Sequence, residues 1–200
     1  MTLAEILRKS ASRHKHLCPR QVLGARMGLL AGELLHLDIP RADKRLLIIA
    51  ETDGCTVDGL IAATGCHVGG RTLRIMDLGK VAATFIDTYT ESALRFAPRR
   101  EIRSLALDYA PGARNRWQAM LQSYQKIPAE DLFNIQSVCL KIPLAEIISR
   151  PSAKTECEMC GEEIINGREV FRNGRVVCLS CAGENYYHLE TNSRSPLAVH

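Results

Sequence analysis

Apolar residues recur at helical spacing in the first third of the chain and in short continuous runs through its middle. Leu3, Ile6 and Leu7 form a stripe behind Thr2 and Glu5, a capping-box pair, and predict a helix over 3–12. Pro19 opens a second predicted helix, over 19–35, with Val22, Leu23, Met27, Leu30 and Leu34 on its buried side. Gly24, Gly28 and Gly32 recur within it at four-residue spacing. Each costs about 1 kcal/mol against alanine in a helix, so the row calls for close approach of another backbone or of a ligand. Tight packing is the preferred of the two.

The run RLLIIAE over 45–51 reads as a buried strand. A turn at Thr52-Asp53-Gly54-Cys55 leads into a short helix through Val57, Leu60 and Ile61, closed by Gly65-Cys66-His67. Further strands are expected over 73–76, 81–86 and 93–96. Helices are expected over 99–109 and through Trp117, Met120, Leu121 and Tyr124. The stretch FNIQSVCLKI over 133–142 reads as one strand, with Ile135 and Cys139 partly buried. Helices and strands mix without regular βαβ repeats. The expected fold class is therefore α+β, with a mixed, mainly antiparallel sheet packed with helices. A polar stretch over 151–156 separates a core domain, 1–150, from a small second domain, 151–200.

Composition changes this picture little. With 200 residues, 46% hydrophobic content and net charge +4, the chain is globular and only mildly basic. No window approaches the roughly 18 apolar residues of a membrane span. The N-terminus shows no apolar segment with a cleavage site, so a cytoplasmic location is expected. In that reducing compartment eight cysteines are ligands or free thiols rather than disulfides.

The second domain carries the most specific chemistry. Cys157-x-x-Cys160 and Cys178-x-x-Cys181 have the spacing of a four-thiolate structural zinc site. Asn173-Gly174 between two short apolar runs is a two-residue hairpin turn. A knuckle, a hairpin and a short helix opened by Cys178–Cys181 describe a treble-clef-like finger. So small a unit draws its folding energy from the metal. Arg168, Arg172 and Arg175 around the hairpin make a weak basic patch, which leaves nucleic-acid binding as an alternative role.

In the first domain, His14-Lys15-His16-Leu17-Cys18-Pro19 places two imidazoles and a thiol within five residues. Cys18 falls at the N-cap of the second helix, where free N–H groups favour a thiolate. If the Cys55 turn meets that helix start, His16, Cys18 and Cys55 surround one metal, leaving an open coordination position. The alternative is two surface histidines and small buried thiols. An enzyme reading takes zinc-bound water or the Cys18 thiolate as nucleophile, His14 or His16 as proton carrier, and Asp53 as the group orienting an imidazole.

Four motifs resemble those of the FmdE family, named for the E component of formylmethanofuran dehydrogenase: His14-x-His16-x-Cys18-Pro19, Glu51-Thr52-Asp53-Gly54-Cys55-x-Val57-Asp58, Thr64-Gly65-Cys66 and Asp77-x-Gly79-Lys80-x-Ala82. The resemblance spans about residues 10–145, and the finger is similar to that of many members. It implies an α+β core, a homodimer, and a metal or thiol site at His14, His16, Cys18 and Cys55, with Cys66 as a further candidate. It also implies Lys80 as a cation that either binds an anionic ligand or pairs with a carboxylate; with Cys18 and His16 it completes the catalytic candidates. Lys15 and Arg20 stand where members often carry glycine. The chain has no second cysteine set with ferredoxin spacing and nothing resembling a pterin-binding chain, so the family's named oxidation is not expected of it alone. The resulting expectation is a zinc-binding accessory or regulatory protein. Its cofactors are zinc in the finger and a second zinc or other transition metal in the core. Its expected partner is a molybdenum or tungsten oxidoreductase.

Overall fold

The computed structural model describes residues 1–12, 16–148 and 150–188. They form two compact units, the first Met1–Ile147 and the second from Ile148 onward.

The first unit opens with α1, Leu3–Ala11, whose capping box forms as expected: Thr2 N–H donates to Glu5 Oε2 at 2.7 Å and Glu5 N–H to Thr2 Oγ1 at 3.3 Å. Helix α2, Pro19–Leu34, follows, then β1, Leu46–Ala50, and α3, Thr56–Thr64. Gly65 ends α3 at φ 76°, a left-handed position open to glycine. The chain returns as β2, Leu73–Ile75, parallel to β1, and then runs antiparallel through β3, Ala83–Asp87, and β4, Ala93–Pro98. Helices α4, Ile102–Asp108, α5, Arg116–Ser123, and α6, Ala129–Leu132, lead to β5, Phe133–Ser137, and a last turn of helix, α7, Leu144–Ile147. The sheet order is β2-β1-β3-β4-β5. This is the α+β class with a mixed five-stranded sheet. Among the described residues no helix is long and apolar enough to cross a membrane.

The main core lies between one sheet face and the helices. Phe85 and Phe96, both fully buried, meet edge to face at 5.1 Å, and Ile6, Met27, Ile48 and Leu60 pack into the same cluster. Leu47, Ile86 and Ala93 point to the opposite face, where Val138, Leu140, Leu144 and Ile147 cover them. That covering corrects the reading of 133–142 as one strand. The paired register with β4 ends at Ser137, with one last bond from Val138 N–H to Ala93 O; the chain then folds over the sheet, and Cys139 is exposed rather than partly buried. Ile135 within β5 is also exposed. Helix α4 starts at Ile102, later than expected, because Pro98 still pairs with Phe133.

An ion pair closes the β3 end of the sheet. Arg45 donates twice to the buried Asp87 carboxylate, at 3.0 and 2.8 Å, and Tyr89 N–H adds a third bond. The Arg45 hydrogen bond, working against burial, brings Asp87 down to about 2. Its stabilisation is therefore present above the unfolded carboxylate value near 4 and is lost as pH falls through about 2. Asp87→Asn should cost about 1–2 kcal/mol at pH 7, allowing for the half-exposed arginine, with the difference from wild type vanishing near pH 2. Urea titrations at stepped pH check this; a constant difference across that window would contradict it.

The second unit holds β6, Lys154–Glu156, paired with β7, Glu163–Ile165, and β8, Val170–Arg172, paired with β9, Arg175–Val177. Part of the expected polar linker is thus a strand. Asn173 and Gly174 take φ 51° and 77°, the two positive values of a type I′ hairpin turn. The helix expected from Cys178 is absent. Successive turns stand there, with Ala182 N–H bonded to Cys178 O and Gly183 N–H to Ser180 O, and Gly183 at φ 101°.

Candidate functional site

The glycine row of α2 determines the geometry of the first site. A Cβ on Gly24 would sit 2.0 Å from the Thr56 carbonyl oxygen, and one on Gly59 would sit 2.1 Å from that of Gln21. The two helices therefore interlock backbone against backbone, each glycine receiving the other helix's main chain. Thr56 and Gln21 are first-turn residues, so this contact draws the two helix starts together. Each start is occupied by a cysteine at the N-cap, Cys18 on α2 and Cys55 on α3. Burial pushes the Cys55 thiol up, and the nearby Cys18 adds to that push.

Gln21 fixes the first of these cysteines. It is fully buried, accepts from Cys18 N–H at 2.7 Å, and donates to the Ser10 carbonyl and hydroxyl at 3.1 and 3.0 Å. One amide thus ties the end of α1 to the start of α2. A lone glutamine carries no signal in a sequence, and its capping-box spacing from Cys18 is the one cue to this role.

Cys18 also lies on the wall of an open cavity of about 860 Å³. Its lining comes from the start of α2, the loop before β3, the end of β4, and helices α4 and α5. Leu23, Ile102, Trp117 and Met120 give it apolar surface, and the remaining wall is rich in cations. Arg95 is held by the Glu51 carboxylate through two bonds of 2.6 and 2.8 Å, and that pairing lowers the Glu51 pKa.

The other site lies in the second unit. Cys157, Cys160, Cys178 and Cys181 place their sulfur atoms within 4.8 Å of one another, and Cys160 Sγ and Cys178 Sγ are 3.9 Å apart. Zn–S bonds of about 2.3 Å in a tetrahedron need sulfur separations close to this. Gly161, at φ 75°, turns the knuckle, and Cys178 N–H points at Cys157 Sγ from 3.3 Å. Burial opposes ionisation of Cys157, but N–H groups of Cys160, Cys178 and Met159 outweigh it and bring the thiol to about 6. Cys181, beside the Cys178 and Cys160 sulfurs, is pushed up to about 12. Four thiols this close ionise together only around a cation. The cluster is consistent with zinc.

The sequence-derived candidates separate accordingly. Cys18 and Cys55 cap the starts of the two interlocked helices. His16 is exposed, its ring 6.2 Å from that of Trp117, which lines the cavity. His14 lies outside the described residues. Cys66 is packed in the core with its thiol donating to the Leu46 carbonyl at 3.4 Å. Lys80 lines the cavity, while Asp53 is exposed in its turn. Among the described residues, the four finger cysteines are the one group of three or more placed to share a metal ion.

Comparison with known proteins places these features. A Prokaryotic dksA/traR C4-type zinc finger model matches residues 150–187. A relative in Archaeoglobus fulgidus, described as a "Probable S-adenosyl-L-methionine-binding protein", is 28% identical over 92% of this chain. The chain spans about half of that relative's length, 54%. The crystal structure of an FmdE-like protein of the tungsten formylmethanofuran dehydrogenase type, from Syntrophus aciditrophicus, shares the fold. Its TM-score is 0.58 at 19% identity, over 94% of this chain and 96% of that one. The family model described as "FmdE, Molybdenum formylmethanofuran dehydrogenase operon" matches residues 13–134, more than half of the 200. The chain belongs to the FmdE family and carries a C4-type zinc finger after the FmdE domain.

Proposed function

We propose that the FmdE domain is a metal- and ligand-binding accessory module. It holds one transition-metal ion on Cys18 and Cys55, with His16 or His14 completing the set, while zinc in the finger is structural. The observation that carries the reading is the glycine interlock, which draws together two helix starts that each carry a cysteine at the N-cap. Two sulfur ligands with imidazole suit zinc, and such a set retains an open position at which a bound ion acts as a Lewis acid. This chain's own residues hold the ligands in place: Gln21 fixes the Cys18 backbone, and the close-packed α3 fixes Cys55. In this reading the finger serves assembly, with a second copy of the chain or a molybdenum or tungsten oxidoreductase.

S-adenosylmethionine, suggested by the A. fulgidus relative, carries a sulfonium and an ammonium against one carboxylate. The cationic wall beside Cys18 weighs against it as the ligand of that cavity.

Elemental analysis of the purified full chain tests the proposal. Wild type should hold about two zinc per chain, and Cys18→Ser and Cys157→Ser about one each. One zinc in both wild type and Cys18→Ser would overturn the core site.

A further inference from the structure

Seven cations line the cavity beside Cys18: Arg95, which is paired with Glu51, and six more, Arg20, Lys80, Arg99, Arg100, Arg103 and Arg116. None of these six forms a salt bridge among the described residues, whereas Arg41, Arg45, Arg95 and Lys154 do, and the Glu51 carboxylate that holds Arg95 also attracts Lys80. No carboxylate appears among the cavity's lining residues. These residues are far apart in sequence and reach the cavity on separate elements. Arg20 comes from α2, Lys80 from the loop before β3, Arg99 and Arg100 from the stretch after β4, Arg103 from α4 and Arg116 from α5. Like charges gathered around one concavity repel one another, and low-dielectric walls focus their field into it. The apolar wall supplies a different kind of contact, with the Trp117 indole 42% exposed and Leu23, Ile102 and Met120 beside it. A volume of about 860 Å³ is ample for a ligand of several hundred daltons.

We propose that this cavity binds a small organic polyanion in which two or more clustered phosphate groups are joined to a flat ring, the chemistry of a nucleoside diphosphate. The arginines take the anionic end through charge-assisted, bidentate bonds. Trp117 takes the ring. A polynucleotide is the competing class. Non-specific strand binding tracks charge along a groove and stacks successive bases on several aromatic side chains. Here the cations converge on one concavity that offers one indole, which favours the compact ligand. The inference stands on the cationic wall and does not require a metal on Cys18.

Trp117 is the only tryptophan in the chain, so its fluorescence reports on this cavity alone. The experiment titrates the full chain with ADP, inorganic diphosphate, adenosine and a 20-nucleotide DNA strand, by fluorescence and by calorimetry. ADP should saturate the signal with a Kd of about 10–100 µM, and inorganic diphosphate should compete with it. Adenosine should bind about tenfold more weakly or worse. Arg99→Gln and Arg103→Gln, both exposed and so tolerated by the fold, should each weaken ADP by about tenfold. Arg175→Gln in the second unit should leave it unchanged, and chelator-treated full chain should retain it whatever its zinc content. Absence of saturable binding by ADP at about 1 mM would overturn the proposal, as would adenosine binding as tightly as ADP. Tighter, salt-sensitive binding of the DNA strand would assign the cavity to nucleic acid instead.

Discussion

Gly24→Ala is expected to destabilise the first unit by about 3 kcal/mol or more, a fall in Tm of roughly 6–12 °C, and to separate the Cys18 and Cys55 thiols. The added methyl would lie 2.0 Å from the Thr56 carbonyl oxygen and 3.0 Å from Leu60 N, both main-chain atoms of α3. A rotamer change relieves neither contact, so the helices must part by roughly 1 Å to restore ordinary van der Waals separation. The gain of about 1 kcal/mol in helix propensity does not offset that. Gly59→Ala should behave alike, since its Cβ would meet Gln21 O at 2.1 Å and Ala25 N at 2.7 Å.

Along α2 the effect should decline. At Gly28 the methyl meets the Ala63 and Thr64 side chains at 2.8 and 3.0 Å, and at Gly32 it meets the Ile39 side chain at 3.0 Å. Gly112→Ala, with nothing within 4 Å, should fall within about 0.5 kcal/mol of wild type. Urea unfolding ranks the series. Native-state cross-linking of Cys18 to Cys55 by a short bifunctional thiol reagent reads the geometry. A Gly24→Ala protein as stable as wild type, with undiminished cross-linking, would show that the interlock does not set the thiol pair.

What the sequence made legible was local chemistry. The Thr2–Glu5 capping box, the Asn173-Gly174 hairpin turn and the CxxC pairs each carry their own geometry within a few residues, and each forms as expected. The glycine row is intermediate. Its spacing announced close approach, but the partner became visible only when Gly59 of α3 proved to be the reciprocal notch. The approach of the Cys18-capped and Cys55-capped helix starts follows from that notch and from no feature near either cysteine.

Two kinds of information lay beyond sequence pattern. The stretch 133–142 reads as one strand, yet Val138 and Leu140, like Leu144 and Ile147 beyond it, are apolar because the far face of the sheet needs a cover. Alternation records burial and cannot tell a continuing strand from a chain folding back over one. The cavity cations are ordinary surface residues when taken singly, and only the fold gathers Arg20, Lys80, Arg99, Arg100, Arg103 and Arg116 around one space. In the finger, the helix expected after Cys178 gives way to turns because Gly183 adopts φ 101°, outside helical range.

Removing zinc should unfold the second unit and leave the first standing. Among the described residues, the apolar cluster of the finger consists of Ile164, Val177 and Ala182 with Cys157, and only Val170, Cys178 and Cys181 pack on it in part. Burying so few small side chains supplies several kcal/mol at most, less than the ordering entropy of some 35 residues. A structural zinc ion contributes about 10–16 kcal/mol at pH 7 and so decides whether this unit folds. The first unit has its own core around Phe85 and Phe96. A strong chelator, or Cys157→Ser, should therefore abolish hydrogen-exchange protection across β6–β9 while β1, β3 and β4 keep theirs. Cys178 N–H, which now points at Cys157 Sγ, should be among the first amides to exchange. The two units separate the two metal questions. If protection in β8 and β9 survives complete removal of zinc, the four-cysteine cluster is not what folds the finger. If the first unit also loses protection at α2 and α3 on chelation, a second ion was bound at the Cys18–Cys55 pair and was stabilising the interlock beneath it.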